Sequence, residues 1–271
     1  MGTRSLSGDW LLDGSDVAEQ LAEKQRLHAT HHDEVFATVH GLDVVDTASA
    51  ELLAAVVVLR PRSLPDDDSA AQHPLDSAGR LVAEDLCLLV REPDGWILGG
   101  ASLCFPSHWR LADKLGRSVG LIHDPVPGYA TELTTRVDRF LDRLPLGPGV
   151  WRRNWTIHDS PTLFAPDVPP PPEPSIEPAD AGHRLWLRSE RQTLRRLPDS
   201  GAIVFGIRSQ QVRLDTIAAD PVLCQRLADT AAAWPSEFVR YRGGPPIVEP
   251  LIAWLRAAAA TRPEPGSDAS V

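Results

Sequence analysis

The sequence predicts an α+β fold on a mostly antiparallel sheet, and three observations carry that prediction. A hairpin is written between residues 86 and 105, three further strand candidates lie downstream, and helical stretches fall between them without strict βα alternation. Twenty-five prolines and 19 glycines argue against a helical bundle, because they imply many turns and irregular connections.

Residues 16–30 (DVAEQLAEKQRLHAT) predict a helix with Val17, Leu21 and Leu27 on one stripe. Residues 34–40 alternate apolar and polar side chains, which suggests a strand or a short helix. A small-aliphatic helix is expected over 47–59, then a proline-punctuated surface loop over 61–76. Leu86–Val90 and Trp96–Phe105 form the hairpin around the Asp94-Gly95 turn. Ser107 is placed to cap a helix over Trp109–Leu115.

Residues 129–144 are strongly amphipathic, with Leu133, Val137, Phe140, Leu141 and Leu144 on one side and a charged, solvated opposite face. Strands are expected at Val150–His158, His183–Leu187 and Ala202–Arg208. Between the first two runs a polyproline connector, residues 165–180 (APDVPPPPEPSIEPAD), extended and without a core of its own. Helices return at 220–233 and 249–261, with Pro250 in a first-turn position. A single domain is expected over residues 1–261, with helical extensions at both ends and a disordered tail at 262–271.

Composition excludes several function classes. Lysine plus arginine is 27 against 37 aspartate plus glutamate, a net charge of −10, which lacks the basic footprint of nucleic-acid binding and does not suit an anionic membrane surface. The longest uncharged apolar run, Leu52–Leu59, is 8 residues, far short of a membrane span. The acidic N-terminus lacks an apolar signal core, so a cytoplasmic protein is expected. Cys87, Cys104 and Cys224 show no CxxC spacing, and the first two are expected to act as small buried hydrophobes. Nucleotide-binding, serine-hydrolase and zinc-protease signatures are missing from the chain. Gly99-Gly100 inside a strand marks close backbone approach rather than phosphate binding.

Four stretches remain as candidates for chemistry. In HATHH, His28 and His32 stand four apart and could share a metal, but no helical carboxylate completes the set except Asp33 or Glu34; a solvated helix end is the preferred reading, and His73 in the polar loop is expected to be inert. His123, followed by Asp124-Pro125-Val126-Pro127, is held on a stiff backbone among apolar neighbours. That placement suits either an axial haem ligand or a core histidine bonded to its own turn. In WRRNW, strand alternation puts Arg152, Asn154 and Thr156 on one face and Trp151, Arg153 and Trp155 on the other. In the run 188–198, four arginines surround Glu190, either as mutual ion pairs or as an anion-holding patch.

Together FPSHW, KLG, IHDPVPGY, RRNW and SERQTLRRLPDSGAIVFGIR resemble the haem-dependent oxidative N-demethylase alpha-subunit-like family, over roughly Val35–Arg208. The resemblance implies a PAS-like haem-binding fold and a monooxygenase that oxidises small amines such as dimethylamine with O2. It also implies haem b, and electrons from a separate NADPH-dependent flavin/iron–sulfur reductase, whose signatures this chain lacks. By this resemblance His123 is the iron ligand, and Lys114, Arg152 and Arg195 are candidates for the propionates. Trp109, Trp155 and Asn154 would line or support the pocket, and Glu190 would meet a cationic amine or anchor a neighbouring arginine. His108, or less directly His158, could serve as a distal group. The alternatives are a haem-based gas or redox sensor without turnover, and a PAS-like domain that binds another apolar metabolite.

Overall fold

The computed structural model of the chain describes residues 2–60, 73–122 and 131–261. His123, the two prolines that follow it, the first two residues of the predicted 129–144 helix, most of the predicted 61–76 loop and the C-terminal tail lie outside the described residues.

The elements in chain order are β1 (Arg4–Ser5), α1 (Val17–Thr30), α2 (His32–Val35), β2 (Phe36–Thr38), α3 (Asp43–Leu59), α4 (Pro74–Arg80), β3 (Asp85–Glu92) and β4 (Gly95–Ser102). Then come α5 (Val119–Ile122), α6 (Thr131–Asp142), β5 (Val150–His158), α7 (Ala181–Arg184), β6 (Trp186–Arg196), β7 (Ile203–Arg213), α8 (Pro221–Ala232), α9 (Ser236–Tyr241) and α10 (Pro245–Ala260). The fold is α+β, and among the described residues seven strands form one sheet in the order β1-β5-β6-β7-β3-β4-β2. No helix among the described residues is long and apolar enough to cross a membrane.

The β3–β4 hairpin is antiparallel, and β3 also pairs antiparallel with β7 through Leu86↔Gly206 and Leu88↔Val204. Its register shifts where Leu88 faces Gly100 and Leu89 faces Leu98, so Gly99 is an extra, bulged residue. A methyl group on Gly99 would come within 2.9 Å of both Val45 and Val90, so close approach is the reason for glycine there.

The chain forms two compact units, residues 1–154, 163–168 and 190–209 in the first and 155–162, 169–189 and 210–271 in the second. In the first, alternation along the strands separates two cores. Leu86, Leu88, Val90 and Val204 pack with Val45, Leu52 and Val56 of α3 and Leu75 of α4. Cys87, Leu89, Ile203 and Ile207 face the other way, toward Leu111, Val119, Val137 and Leu141 of α6, and Leu144 just beyond it. In the second unit, Leu227 and Ala231 of α8 pack with Leu251 and Leu255 of α10. Ile176, in the proline-rich connector, is buried in that same core, so this segment is anchored rather than coreless.

Several expectations are corrected. The end of the predicted loop is helical: Pro74 opens α4, whose capping acceptor is His73 Nδ1, 3.2 Å from the Leu75 amide. His73 is therefore structural, with Nε2 3.3 Å from Asp46. Ser107 caps no helix over 109–115, where only a short turn at Leu111–Asp113 forms; it makes a parallel bridge with Ala165 instead. Residues 181–184 are helical ahead of β6, and Pro245 rather than Pro250 occupies the first turn of α10. The arginine-rich run was not read as a strand, yet it is the long strand β6. The cations there find carbonyl partners: Arg191 donates to Trp10 at 3.0 Å, and Arg196 to Leu144 at 2.7 Å and Gly201 at 2.8 Å. The N-terminal stretch, read only as acidic, buries Leu6, Trp10 and Leu11 in the α3-side core.

Candidate functional site

One face of the first unit's sheet brings most of the candidate residues together. Along β3 and β7 this face carries Cys87, Leu89, Ile203, Phe205 and Ile207, and β5 and β6 add Val150 and Leu194. Counting back by twos from Leu194 reaches Gln192 and Glu190; counting forward from Val150 reaches Arg152 and Asn154. The polar ladder therefore continues an apolar face.

Its bonds are specific. Arg152 Nε donates to Gln192 Oε1 at 2.7 Å, and Gln192 Nε2 donates to Glu190 Oε2 at 2.9 Å. Asn154 Nδ2 reaches the same oxygen at 3.4 Å. Glu190 is only 8% exposed, so two amides orient a carboxylate largely removed from water. Gln192, the link between Arg152 and Glu190, was missed in the sequence. Period-two spacing from Glu190 would have found it had β6 been read as a strand.

Lys114 and Trp109 border the same apolar cluster. The Lys114 ammonium lies 4.5 Å from the Trp109 ring centroid and 3.3 Å from the Ile122 carbonyl oxygen. Burial depresses its pKa to about 8, while the Cys87 thiol and Asp113 oppose the shift only partly. No carboxylate lies within ion-pair distance of Lys114 among the described residues. Burial likewise pushes the Cys87 thiol far up and the Cys104 thiol to about 12, so both behave as the small hydrophobes expected.

The loop carrying Trp109 is fixed from beneath. Asp85 accepts from the Cys104 and Phe105 amides at 2.8 and 2.9 Å, and Lys24, wholly buried, lies 3.6 Å from the same carboxylate. Lys24 also donates to the Val82 and Glu84 carbonyls at 3.0 and 2.6 Å. On the other side, the His108 amide donates to the Ala165 carbonyl at 2.7 Å. His108 itself sits at φ 59°, a left-handed backbone that a non-glycine residue adopts at a cost of about 1–3 kcal/mol.

The remaining candidates lie elsewhere. Arg195 follows Leu194, so alternation sends it to the opposite sheet face. Trp155 belongs to the second unit, where its ring stacks 5.2 Å from Trp234 and its carbonyl accepts from Arg242 at 2.7 Å. His158, also in the second unit, is buried. Neither of two shallow depressions, one of about 310 Å³ beside Arg136, Arg139 and Arg143 and one of about 460 Å³ beside Pro178 and Pro246, is lined by a residue of the ladder.

These residues fit the group that the sequence resemblance implies. A porphyrin needs an apolar face and cations for two carboxylates; the structure offers that face, with an ammonium near it that has no carboxylate partner among the described residues and a guanidinium at the head of the ladder. The haem-dependent oxidative N-demethylase, alpha subunit-like family model matches residues 60–252, well over half of the 271-residue chain. That span contains the hairpin, the Trp109–Lys114 segment and the whole polar ladder, and the chain belongs to the haem-dependent oxidative N-demethylase alpha-subunit-like family.

Proposed function

We propose that this protein is a haem-dependent monooxygenase that removes an N-methyl group from a small amine, using O2 and electrons delivered by a partner reductase. The observation that carries this reading is a buried, amide-clamped carboxylate on the same sheet face as an apolar cluster bordered by cations. The sheet would serve as a PAS-like platform for haem b. Bound haem supplies the oxidative chemistry, and the protein supplies ligation, polarity and access.

Each residue then has a task. His123, which lies outside the described residues, would ligate the haem iron in this reading. Lys114 and Arg152 would hold the propionates, whereas Arg195, on the opposite sheet face, would not; Trp109 would close the apolar surface beside Lys114. Glu190 receives the ammonium of the substrate, and Asn154 and Gln192 keep its carboxylate oriented before the amine arrives. A charge-assisted bond from an alkylammonium to a carboxylate shielded from water is stronger than one at the surface. Trp155 stacks on Trp234 within the second unit, and His108, on its strained backbone, would be a proton donor or acceptor.

The test is an absorption spectrum of the full chain expressed with a haem precursor, followed by dimethylamine titration. A Soret band that shifts with amine, together with formaldehyde release when a reductase is supplied, is expected. His123→Ala should remain folded with little bound haem. A Soret band indifferent to amines would overturn the amine assignment and favour sensing. Failure of the wild-type chain to take up haem would overturn the haem assignment altogether.

A further inference from the structure

The HATHH motif is not a solvated helix end. His28 in the last turn of α1 has a fully buried side chain, and α4 brings Asp76, also buried, against it from 48 positions along the chain. His28 Nδ1 lies 3.1 Å from Asp76 Oδ1, and His32 Nε2 is hydrogen-bonded to Asp76 Oδ2 at 3.1 Å. One potential ligand atom from each of the three residues falls within 4.8 Å of the others.

We propose that His28, His32 and Asp76 form a site for a divalent transition metal of the zinc class, separate from the haem chemistry. Three features support it. First, His28 Nδ1 is buried without a hydrogen-bond partner although a carboxylate oxygen is only 3.1 Å away; the pair is close but not aligned as a hydrogen bond. Bonds of about 2.0–2.2 Å to a shared cation place neighbouring ligand atoms roughly 3.0–3.5 Å apart, and each imidazole nitrogen already stands 3.1 Å from one of the two Asp76 oxygens.

Second, the surrounding contacts are those of ligand positioning. Ser102 Oγ lies 3.4 Å from His28 Nε2, so the opposite ring nitrogen faces Asp76. Arg80 grips Asp76 in a bidentate pair at 3.0 and 3.1 Å, which orients the carboxylate and leaves further lone pairs for a metal. Third, Arg80 balances the one carboxylate charge, so electrostatic attraction alone cannot hold a cation. The donor set of two imidazoles and one carboxylate then favours zinc, cobalt or nickel over calcium or magnesium. His32 is 39% exposed, which gives the metal a path from solvent and room for a water ligand.

The test uses the full chain after chelator treatment, titrated with Co2+ and read by its visible ligand-field bands; bound Zn2+ is then counted separately from iron. One equivalent of Co2+, displaced by Zn2+, is expected for the wild type. His32→Ala removes a half-exposed ligand, so it should stay folded by circular dichroism and lose more than tenfold in affinity. His183→Ala, which removes an exposed histidine of the second unit, should bind like the wild type. Equal Co2+ binding by wild type and His32→Ala, or binding by neither, would overturn the proposal. Haem content and amine response do not enter this readout, so its failure and the failure of the haem assignment are distinguishable.

Discussion

Replacing Lys114 by methionine separates a structural from a ligand-binding role. The ammonium is held at a pKa of about 8 by burial, well below the ordinary lysine value of 10.5. A gap of about 2.5 pH units corresponds to a ceiling of roughly 3 kcal/mol, and partial solvent access reduces this to about 1–2 kcal/mol. Against it stand the contact with Trp109, worth about 0.5–1 kcal/mol, and a long hydrogen bond to Ile122. At pH 7 lysine is protonated in folded and unfolded chains, so the whole cost of burying the charge is present. Between about pH 8 and 10.5 the unfolded chain binds more protons, so the stability of the haem-free wild type rises with pH through that window. Lys114→Met lacks this term. Its stability relative to wild type should therefore fall by about 1–2 kcal/mol from pH 7 to pH 10, starting neutral or slightly favourable. Urea unfolding of haem-free protein at the two pH values measures this directly. Haem titration of the same pair should show affinity reduced by about five- to tenfold, from the lost propionate partner. A pH-independent stability difference with unchanged haem affinity would refute the argument.

Three further outcomes are expected. Glu190→Gln preserves the size of the side chain but removes the charge clamped by Asn154 and Gln192; amine-induced spectral shifts should weaken at least tenfold with haem content unchanged, measured by Soret titration. Gly79→Ala would put a methyl group 2.0 Å from Ser102 Oγ and 2.3 Å from its Cβ, so α4 must move off β4 at a cost of about 1–3 kcal/mol in urea unfolding. Lys24→Met strips the buried cation from Asp85 and from the Val82 and Glu84 carbonyls; a loss of about 3–5 kcal/mol is expected, with increased protease cleavage near the Cys104–Trp109 loop.

The β3–β4 hairpin, α1, α3, α6 and β5 were legible in the sequence because local signals decide them. Asp94-Gly95 supplies the turn, and apolar residues recur at the period of the element they form. The alternation of WRRNW correctly placed Arg152 and Asn154 on one strand face, which became half of the polar ladder. Strand β6 was not legible. Its arginines suggested a charged surface, and only tertiary contacts provide the Trp10, Leu144 and Gly201 carbonyls that satisfy Arg191 and Arg196. Gln192 was lost with that strand, and the same parity puts Arg195 on the face opposite Arg152.

The HATHH motif shows the same division. Spacing alone put His28 and His32 four positions apart and left the carboxylate ligand open, because Asp76 enters from α4 through the packing of that helix beside α1. Sequence determined the α+β class, the family and the residue types available for chemistry, since periodicity, turn residues and motifs are local in the chain. Tertiary structure decided which polar groups share a face, which cations find carbonyls and which histidines are buried, because burial and hydrogen bonding are set by residues distant in sequence.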